Sequence, residues 1–187
     1  MGYQEETRKV YDTFPDYFNK KFSNYSNKVI VEELNEAIKL FTKNAKILDL
    51  GSGPGNQALF FKKNGFEVLC LDNSDEMLKK CEEKGLRTIK MDFEKIDFPE
   101  KSFDVVWAYT SLLHIPKSNI IDVLKKIKAI LDNKVLFFIS LKEGNKEALF
   151  YFENGGKRWF SLYQDNEIRE LLKEDFEVVK NWRVQIA

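Results

Sequence analysis

Apolar residues in the middle of the chain alternate between short continuous runs and sets with helical spacing. The runs predict five strands and the spaced sets predict helices between them, a pattern typical of a parallel α/β sheet. The strands are predicted over residues 46–50, 66–71, 86–91, 103–108 and 135–141. The last run is almost entirely apolar, so we expect it to be buried on both faces.

Polar and glycine residues mark where the intervening helices begin and end. Residues 56–63 are predicted to be helical and to stop at Gly65, and Ser74 is predicted to cap a helix that ends at Gly85. Further helices are predicted over residues 120–131 and 167–173, and a last strand over residues 176–186. An apolar stripe at residues 30–41 predicts one more helix, preceded by an aromatic-rich helix or loop.

The overall pattern predicts a three-layer, Rossmann-like sandwich with a mostly parallel central sheet. Ligands of such folds bind at the carboxyl ends of the strands. The length of 187 residues suits one domain. Half of the aromatic residues lie in two segments, 3–25 and 150–163, which flank the predicted sheet in the sequence.

Composition narrows the classes of function. Thirty basic residues balance thirty acidic ones, which argues against a nucleic-acid partner. No apolar run approaches the ~20 residues of a membrane span, and the first residues do not resemble a signal peptide, so we expect a cytoplasmic protein without a membrane partner. Cys70 and Cys81 are too few for a disulfide framework and lack metal-ligand spacing, so no metal is expected.

The most informative stretch follows the first strand and reads Asp49-Leu50-Gly51-Ser52-Gly53-Pro54-Gly55. Its glycines let a ligand approach the backbone closely. The stretch from Gly53 to Ala58 also fits the dinucleotide pattern G-x-G-x-x-G/A. The carboxylate of Asp49 would repel a pyrophosphate, whereas it suits the ammonium group and cationic sulfur of S-adenosylmethionine.

Acidic residues recur at the ends of the next two strands. Asp72 is placed to accept both hydroxyl groups of a ribose, and Asp92 to accept from an adenine amino group while Phe93 packs on the ring. A single aspartate at such a position is an ordinary turn or cap residue. Three in succession beside a glycine loop favour a nucleoside site.

These segments resemble the motifs of class I S-adenosylmethionine-dependent methyltransferases. The glycine stretch resembles their first motif, and Leu71-Asp72-Asn73-Ser74, Met91-Asp92-Phe93 and residues 103–108 resemble the three that follow. The likeness is closest to the small-molecule branch that includes ubiquinone methyltransferases. It implies methyl transfer from S-adenosylmethionine, with S-adenosylhomocysteine as product. The cofactor residues it implies are Asp49, Gly51, Gly53, Gly55, Asp72, Asn73, Met77, Asp92, Phe93, Ala108 and Tyr109, with Met77 against the adenine.

The resemblance also divides the chain into a helical cap (1–44), a cofactor-binding core (45–142) and a substrate-side insertion with a C-terminal helix and strand (143–187). Two features depart from the family. Residues 131–134 replace its usual Pro-Gly-Gly turn with a different turn sequence. The family ends with two antiparallel strands and the chain offers one clear candidate, so either residues 157–162 contribute a strand or the final strand is missing.

The acceptor side is predicted less sharply, and no catalytic residue is assigned. His114 lies in the loop after the fourth strand. It is interpreted either as a loop or cofactor-shell residue or as a general base or substrate contact. Lys142 and Glu143 are interpreted as a solvated pair. The two aromatic segments fall where this fold builds its lid and are expected to contribute to a pocket for a small molecule. The candidate substrate residues are Tyr11, Tyr17, His114, Arg158, Trp159 and Tyr163.

Three other functions stay open at this point. The chain could methylate RNA or protein, could bind S-adenosylmethionine as a regulatory protein without catalysis, or could be a nucleotide-dependent oxidoreductase. The oligomeric state and the acceptor atom are not predicted.

Overall fold

The computed structural model describes residues 2–28, 30–181 and 183. Its centre is a five-stranded parallel sheet with the strand order β3-β2-β1-β4-β5. The strands are β1 (Lys46–Leu50), β2 (Glu67–Asp72), β3 (Arg87–Lys90), β4 (Phe103–Tyr109) and β5 (Leu131–Ser140). The predicted parallel sheet is therefore confirmed. Its five carboxyl ends form one edge.

Within the described residues, seven α-helices surround the sheet or cover its edge. They are α1 (Tyr3–Thr13), α2 (Pro15–Lys28), α3 (Val31–Ile38), α4 (Asn56–Lys63), α5 (Asp75–Glu83), α6 (Ile120–Ile130) and α7 (Asp165–Leu172). The Ser74 side chain caps α5 by accepting from the backbone N–H of Met77. The predicted aromatic-rich segment at the N-terminus is formed by α1 and α2.

Successive strand residues divide between two apolar cores, one on each face of the sheet. Leu48 and Val106 pack into the core that includes the buried side of α6. Ile47 and Trp107 pack into the other, which includes residues of α3 and α4. Adjacent strand residues point to opposite faces, so continuous apolar strands serve both layers.

A separate two-stranded ribbon covers part of the carboxyl edge. It consists of β6 (Glu147–Tyr151) and β7 (Lys157–Ser161), which pair antiparallel with each other. The ribbon packs on α1, where the backbone N–H of Trp159 donates to the Thr7 hydroxyl at 2.9 Å. The two aromatic segments, distant in sequence, thus meet above the sheet.

Three expectations for the last third of the chain need correction. Residues 135–141 are half-buried rather than buried on both faces, because β5 is an edge strand and no described strand pairs with its outer side. Residues 131–134 are not a turn. They begin β5, and an irregular register between Phe103 and Val105 absorbs the extra length.

The final predicted strand does not form where it is described. Residues 176–181 have no regular secondary structure, and residues 182 and 184–186 lie outside the described part of the chain. The other candidate, residues 157–162, does supply a strand, β7, which pairs with β6 in a sheet of its own. None of the described helices combines the length and apolar character needed to cross a bilayer.

Candidate functional site

A cavity of about 560 Å³ opens at the carboxyl edge of the sheet. Residues at or just after the carboxyl ends of all five strands line it, and α1 and α2 form its roof. Its volume lies in the usual range for small-molecule sites. The predicted site residues that line it are Asp49, Gly51, Gly53, Asp72, Asn73, Asp92, Phe93, Tyr109, Tyr11 and His114.

The glycine loop between β1 and α4 is tied to the end of β2. The backbone N–H groups of Gly51 and Ser52 both donate to the Leu71 carbonyl, at 2.8 and 3.0 Å. Gly51 has φ +77°, and a Cβ atom there would lie 2.3 Å from the Ser111 Cβ. Only glycine permits this backbone conformation together with the contact between the loop and the segment after β4.

Asp49 places a carboxylate under this loop. It is 3% exposed, and its Oδ2 atom has no hydrogen-bond partner among the described residues. Burial, reinforced by the nearby Asp72 carboxylate, raises the pKa of Asp49 to about 8, against the weaker opposing effect of a hydrogen bond from the Ala58 N–H. A buried acid without a cation is costly when ionised, so the position favours a positively charged ligand group.

Asp72 holds the loop from the other side. Its Oδ2 accepts from the Gly53 N–H and its Oδ1 from the Ser74 N–H, both at 2.9 Å. Burial raises its pKa, and these backbone donors oppose the shift. Each carboxylate oxygen has two lone pairs, so both can still accept from a ligand hydroxyl.

Asp92 and Phe93 lie at the end of β3. The Asp92 side chain accepts from the Glu94 N–H at 2.9 Å and begins a short 3₁₀ turn, Phe93–Lys95. Glu94 connects this turn to the N-terminal helix, since it accepts from Tyr3 at 2.9 Å and from Gln4 at 2.6 Å. The third strand end is thus fixed against the roof of the cavity.

Three predicted cofactor residues do not line the cavity. Gly55 lies where a Cβ would be 2.6 Å from Leu86, so it serves the packing of the loop on its neighbours. Ala108 is buried within β4. Met77, which the resemblance places against adenine, is 1% exposed and packs in a cluster with residues of the N-terminal helices.

That cluster forms the roof, and we call it the aromatic cap. It combines six rings from both aromatic segments, including Phe18 stacked on Phe152 at 5.3 Å between ring centroids. Tyr11 and Phe22 reach from it into the cavity. The aromatic cap consists of Tyr11, Phe14, Tyr17, Phe18, Phe22 and Phe152.

His114 is held on both sides by hydrogen bonds. Its Nδ1 lies 2.6 Å from the Trp159 carbonyl and its Nε2 lies 2.9 Å from the Tyr11 hydroxyl. A carbonyl only accepts, so Nδ1 carries the proton and Nε2 accepts from Tyr11. Burial lowers the pKa of His114 to about 3, so the ring is neutral at physiological pH.

The remaining candidate substrate residues lie behind the cavity wall. Arg158 donates to the Tyr11 hydroxyl at 3.2 Å, and Tyr17 belongs to the aromatic cap. Trp159 contributes its backbone, while its indole N–H donates to Ser161 at 3.0 Å. Tyr163 is 1% exposed and lines a different cavity beside β5.

Several residues that line the cavity were not assigned to the site from the sequence. Lys142 lines the cavity mouth and forms no ion pair with Glu143, which instead lies 3.9 Å from Arg183. The position of Lys142 after a predicted strand is the feature of the sequence that indicates a place at this edge. Thr110, with φ +51°, and Ser111 follow β4, and Phe22 comes from α2. Only the packing of helices on the sheet brings these residues together.

The family comparison agrees with this geometry. Residues 47–134 match the model of a methyltransferase domain family. This segment is therefore similar to a methyltransferase domain. The parallel sheet with its flanking helices has the Rossmann-like fold of class I methyltransferases.

The relatives of this chain cover different parts of it. A sarcosine/dimethylglycine N-methyltransferase of Aphanothece halophytica is 36% identical over 45% of this chain, which spans only 34% of that enzyme. An uncharacterised protein of Methanocaldococcus jannaschii is 28% identical over 93% of this chain and 74% of its own length. A DhpI–SAH complex has the same fold, with a TM-score of 0.75 at 17% identity, over 90% of this chain and 85% of DhpI.

Proposed function

We propose that the protein transfers a methyl group from S-adenosylmethionine to a small-molecule acceptor. The observation that carries the proposal is the buried, unpartnered Oδ2 of Asp49 beside the glycine loop. A cationic amino-acid group satisfies this atom, and a pyrophosphate does not. The names of the similar N-methyltransferase and of the SAH-bound neighbour support the same cofactor and a small acceptor.

The three acidic residues at the ends of β1, β2 and β3 fit the cofactor. Asp49 would hold its ammonium group, Asp72 its ribose hydroxyls, and Asp92 with Phe93 its adenine. When bound, S-adenosylmethionine supplies a methyl group on a positively charged sulfur, which a nucleophile takes in an in-line displacement. A Cβ built at Gly53 would be in ordinary van der Waals contact with the Phe22 ring, at 3.7 Å, so Phe22 packs directly over the loop.

On the acceptor side, His114 is poorly suited to remove a proton. Its Nε2 already accepts from Tyr11, and burial keeps its pKa near 3. General-base catalysis is most effective when the pKa lies near the working pH. We therefore infer an acceptor that is nucleophilic as it binds. The protein then acts by alignment and by excluding water, which can contribute ~7–11 kcal/mol.

Two measurements test this function. Calorimetry should detect binding of S-adenosylmethionine and S-adenosylhomocysteine but not of NAD. Labelled S-adenosylmethionine should then transfer its methyl group to a metabolite extract, and not to total RNA or protein. Label confined to RNA or protein would establish the alternative substrate class, and cofactor binding without any transfer would establish a regulatory binding protein.

The ubiquinone-methyltransferase-like branch stays a prediction within this proposal. Phenolic quinone precursors, offered as acceptors in the same labelling assay, test it directly. Cytoplasmic location also stays a prediction, which fractionation of cells producing the protein would check.

A further inference from the structure

The charges around the cavity are separated along the carboxyl edge of the sheet. Asp92, Asp72 and Asp49 follow or end the neighbouring strands β3, β2 and β1. Lys142 follows β5 at the opposite end of the strand order, and Lys21 reaches the cavity from α2. Apart from Arg8, which lies 3.4 Å from Asp12, the charged lining residues are acidic on one side of the cavity and basic on the other, the side left for the acceptor.

The basic half is organised around the ring of Phe160. The Lys142 Nζ lies 4.9 Å from its centroid, and the Arg158 Cζ lies 5.0 Å from the same centroid. His114 lies 5.0 Å from it as well, and is neutral. Two positive charges thus lie close together beside one aromatic residue.

Neither cation has an acidic partner in the part of the chain that the structure describes. Among those residues, Lys142 and Arg158 form no ion pair, and the Nε atom of Arg158 is buried without a hydrogen-bond partner. The guanidinium has five N–H donors, and its hydrogen bond within the described residues goes to the Tyr11 hydroxyl. The rings of Tyr11, Phe18, Phe152 and Phe160 lie within 5.6 Å of its Cζ. Cation–π contacts stabilise the charge but leave its N–H donors unused.

This arrangement is unfavourable until an anion arrives. Desolvation, together with repulsion from Arg158 and Lys21, lowers the pKa of Lys142, although its side chain stays exposed at the mouth. An anion bound beside Lys142 would offset this repulsion. Tyr11 cannot replace the cations as a donor to that anion, because its proton is committed to His114.

We propose that the methyl acceptor carries an anionic group, a carboxylate or a phosphoryl group, which Lys142 binds at the cavity mouth while Arg158, behind the wall, adds a positive charge. The inference rests on the proposed function and adds the chemical class of the acceptor. The anion binds at the basic half of the cavity, opposite the residues proposed to hold the cofactor.

The first test uses the natural acceptor pool. A metabolite extract is passed over a strong anion exchanger at neutral pH, and the bound and unbound fractions are each offered with labelled S-adenosylmethionine. Methyl transfer should occur to the bound fraction. The rate at limiting acceptor should fall about tenfold or more in Lys142→Met, because a hydrogen bond to a charged group is lost. The control, Lys125→Met, removes an exposed lysine of α6 and should leave the rate unchanged.

The second test does not require the natural acceptor. Binding of benzoate, phenylphosphonate and the neutral analogue benzamide is measured on protein saturated with S-adenosylhomocysteine. At least one anion should bind about tenfold or more tightly than benzamide, Lys142→Met should abolish that preference, and Arg158→Gln should reduce it. Tighter benzoate binding identifies a carboxylate, and tighter phenylphosphonate binding identifies a phosphoryl group.

The outcomes separate this inference from the proposed function. Unchanged S-adenosylhomocysteine affinity in the variants shows that they fold and keep the cofactor site. With that affinity intact, transfer confined to the unbound fraction, or equal binding of benzamide and both anions, overturns the anionic acceptor. Failure of the wild-type protein to bind S-adenosylhomocysteine refutes the proposed function itself.

Discussion

Replacement of Asp49 by asparagine tests the electrostatics of the site most directly. The pKa of Asp49 rises from 3.8 to about 8 because of burial and the nearby Asp72 carboxylate. At pH 6.5 the ligand-free protein therefore holds this carboxyl protonated and neutral. An asparagine at this position would be neutral and of nearly the same shape, so Asp49→Asn should fold normally at that pH.

The same shift sets the size of the effect on stability. Because the pKa of Asp49 is higher in the folded than in the unfolded protein, its protonated form contributes to the stability of the fold. This contribution is fully present below about pH 4 and is lost as the pH rises through about 8. Roughly four pKa units at about 1.4 kcal/mol each give an upper value of about 5–6 kcal/mol. The ligand-free wild type should therefore lose stability relative to Asp49→Asn as the pH rises from 5 to 8.5, which urea unfolding of both proteins measures.

Binding of the cofactor should offset this loss of stability, because its ammonium group places a cation beside the ionised Asp49. At pH 6.5, calorimetry in two buffers of different ionisation enthalpy should detect release of about one proton when S-adenosylhomocysteine binds the wild type. Asp49→Asn should release none from this site and should bind about 10- to 150-fold more weakly, as expected for a lost charged hydrogen bond. Equal proton release in the two proteins, or parallel stability curves, would refute the assignment of an ammonium group to Asp49.

Three further predictions concern the loop and the acceptor side. Gly51→Ala should abolish cofactor binding, since its Cβ would lie 2.3 Å from that of Ser111. Gly65→Ala is the control: it has a similar φ of +87° but open space around it, and binding titrations should detect no change. Asp72→Ala should weaken cofactor binding about tenfold or more, and unchanged affinity in calorimetry would remove Asp72 from the ribose role. His114 should contribute no inflection to the rate profile between pH 5 and 7, because its pKa is near 3. A kinetic inflection in that range that disappears in His114→Gln would contradict the hydrogen-bonded, neutral ring.

Sequence alone determined the layers of the fold and the grouping of three acidic residues at the carboxyl edge of the sheet. The apolar runs of β1, β2 and β4 have the length of buried parallel strands, so their existence follows from local pattern. Asp49, Asp72 and Asp92 each end or follow such a strand. Parallel strands bring their carboxyl ends to one edge, and that placed the three acids together without knowledge of any contact.

The acceptor side depended on tertiary structure, because its residues come from elements far apart in the chain. Tyr11 from α1, His114 after β4 and Arg158 from β7 are linked by hydrogen bonds that no spacing encodes. The exposure of β5 likewise depends on its position at the edge of the sheet. An apolar run has the same sequence pattern whether or not a neighbouring strand covers it. Local pattern specifies which residues face inward, whereas long-range packing decides which of them meet.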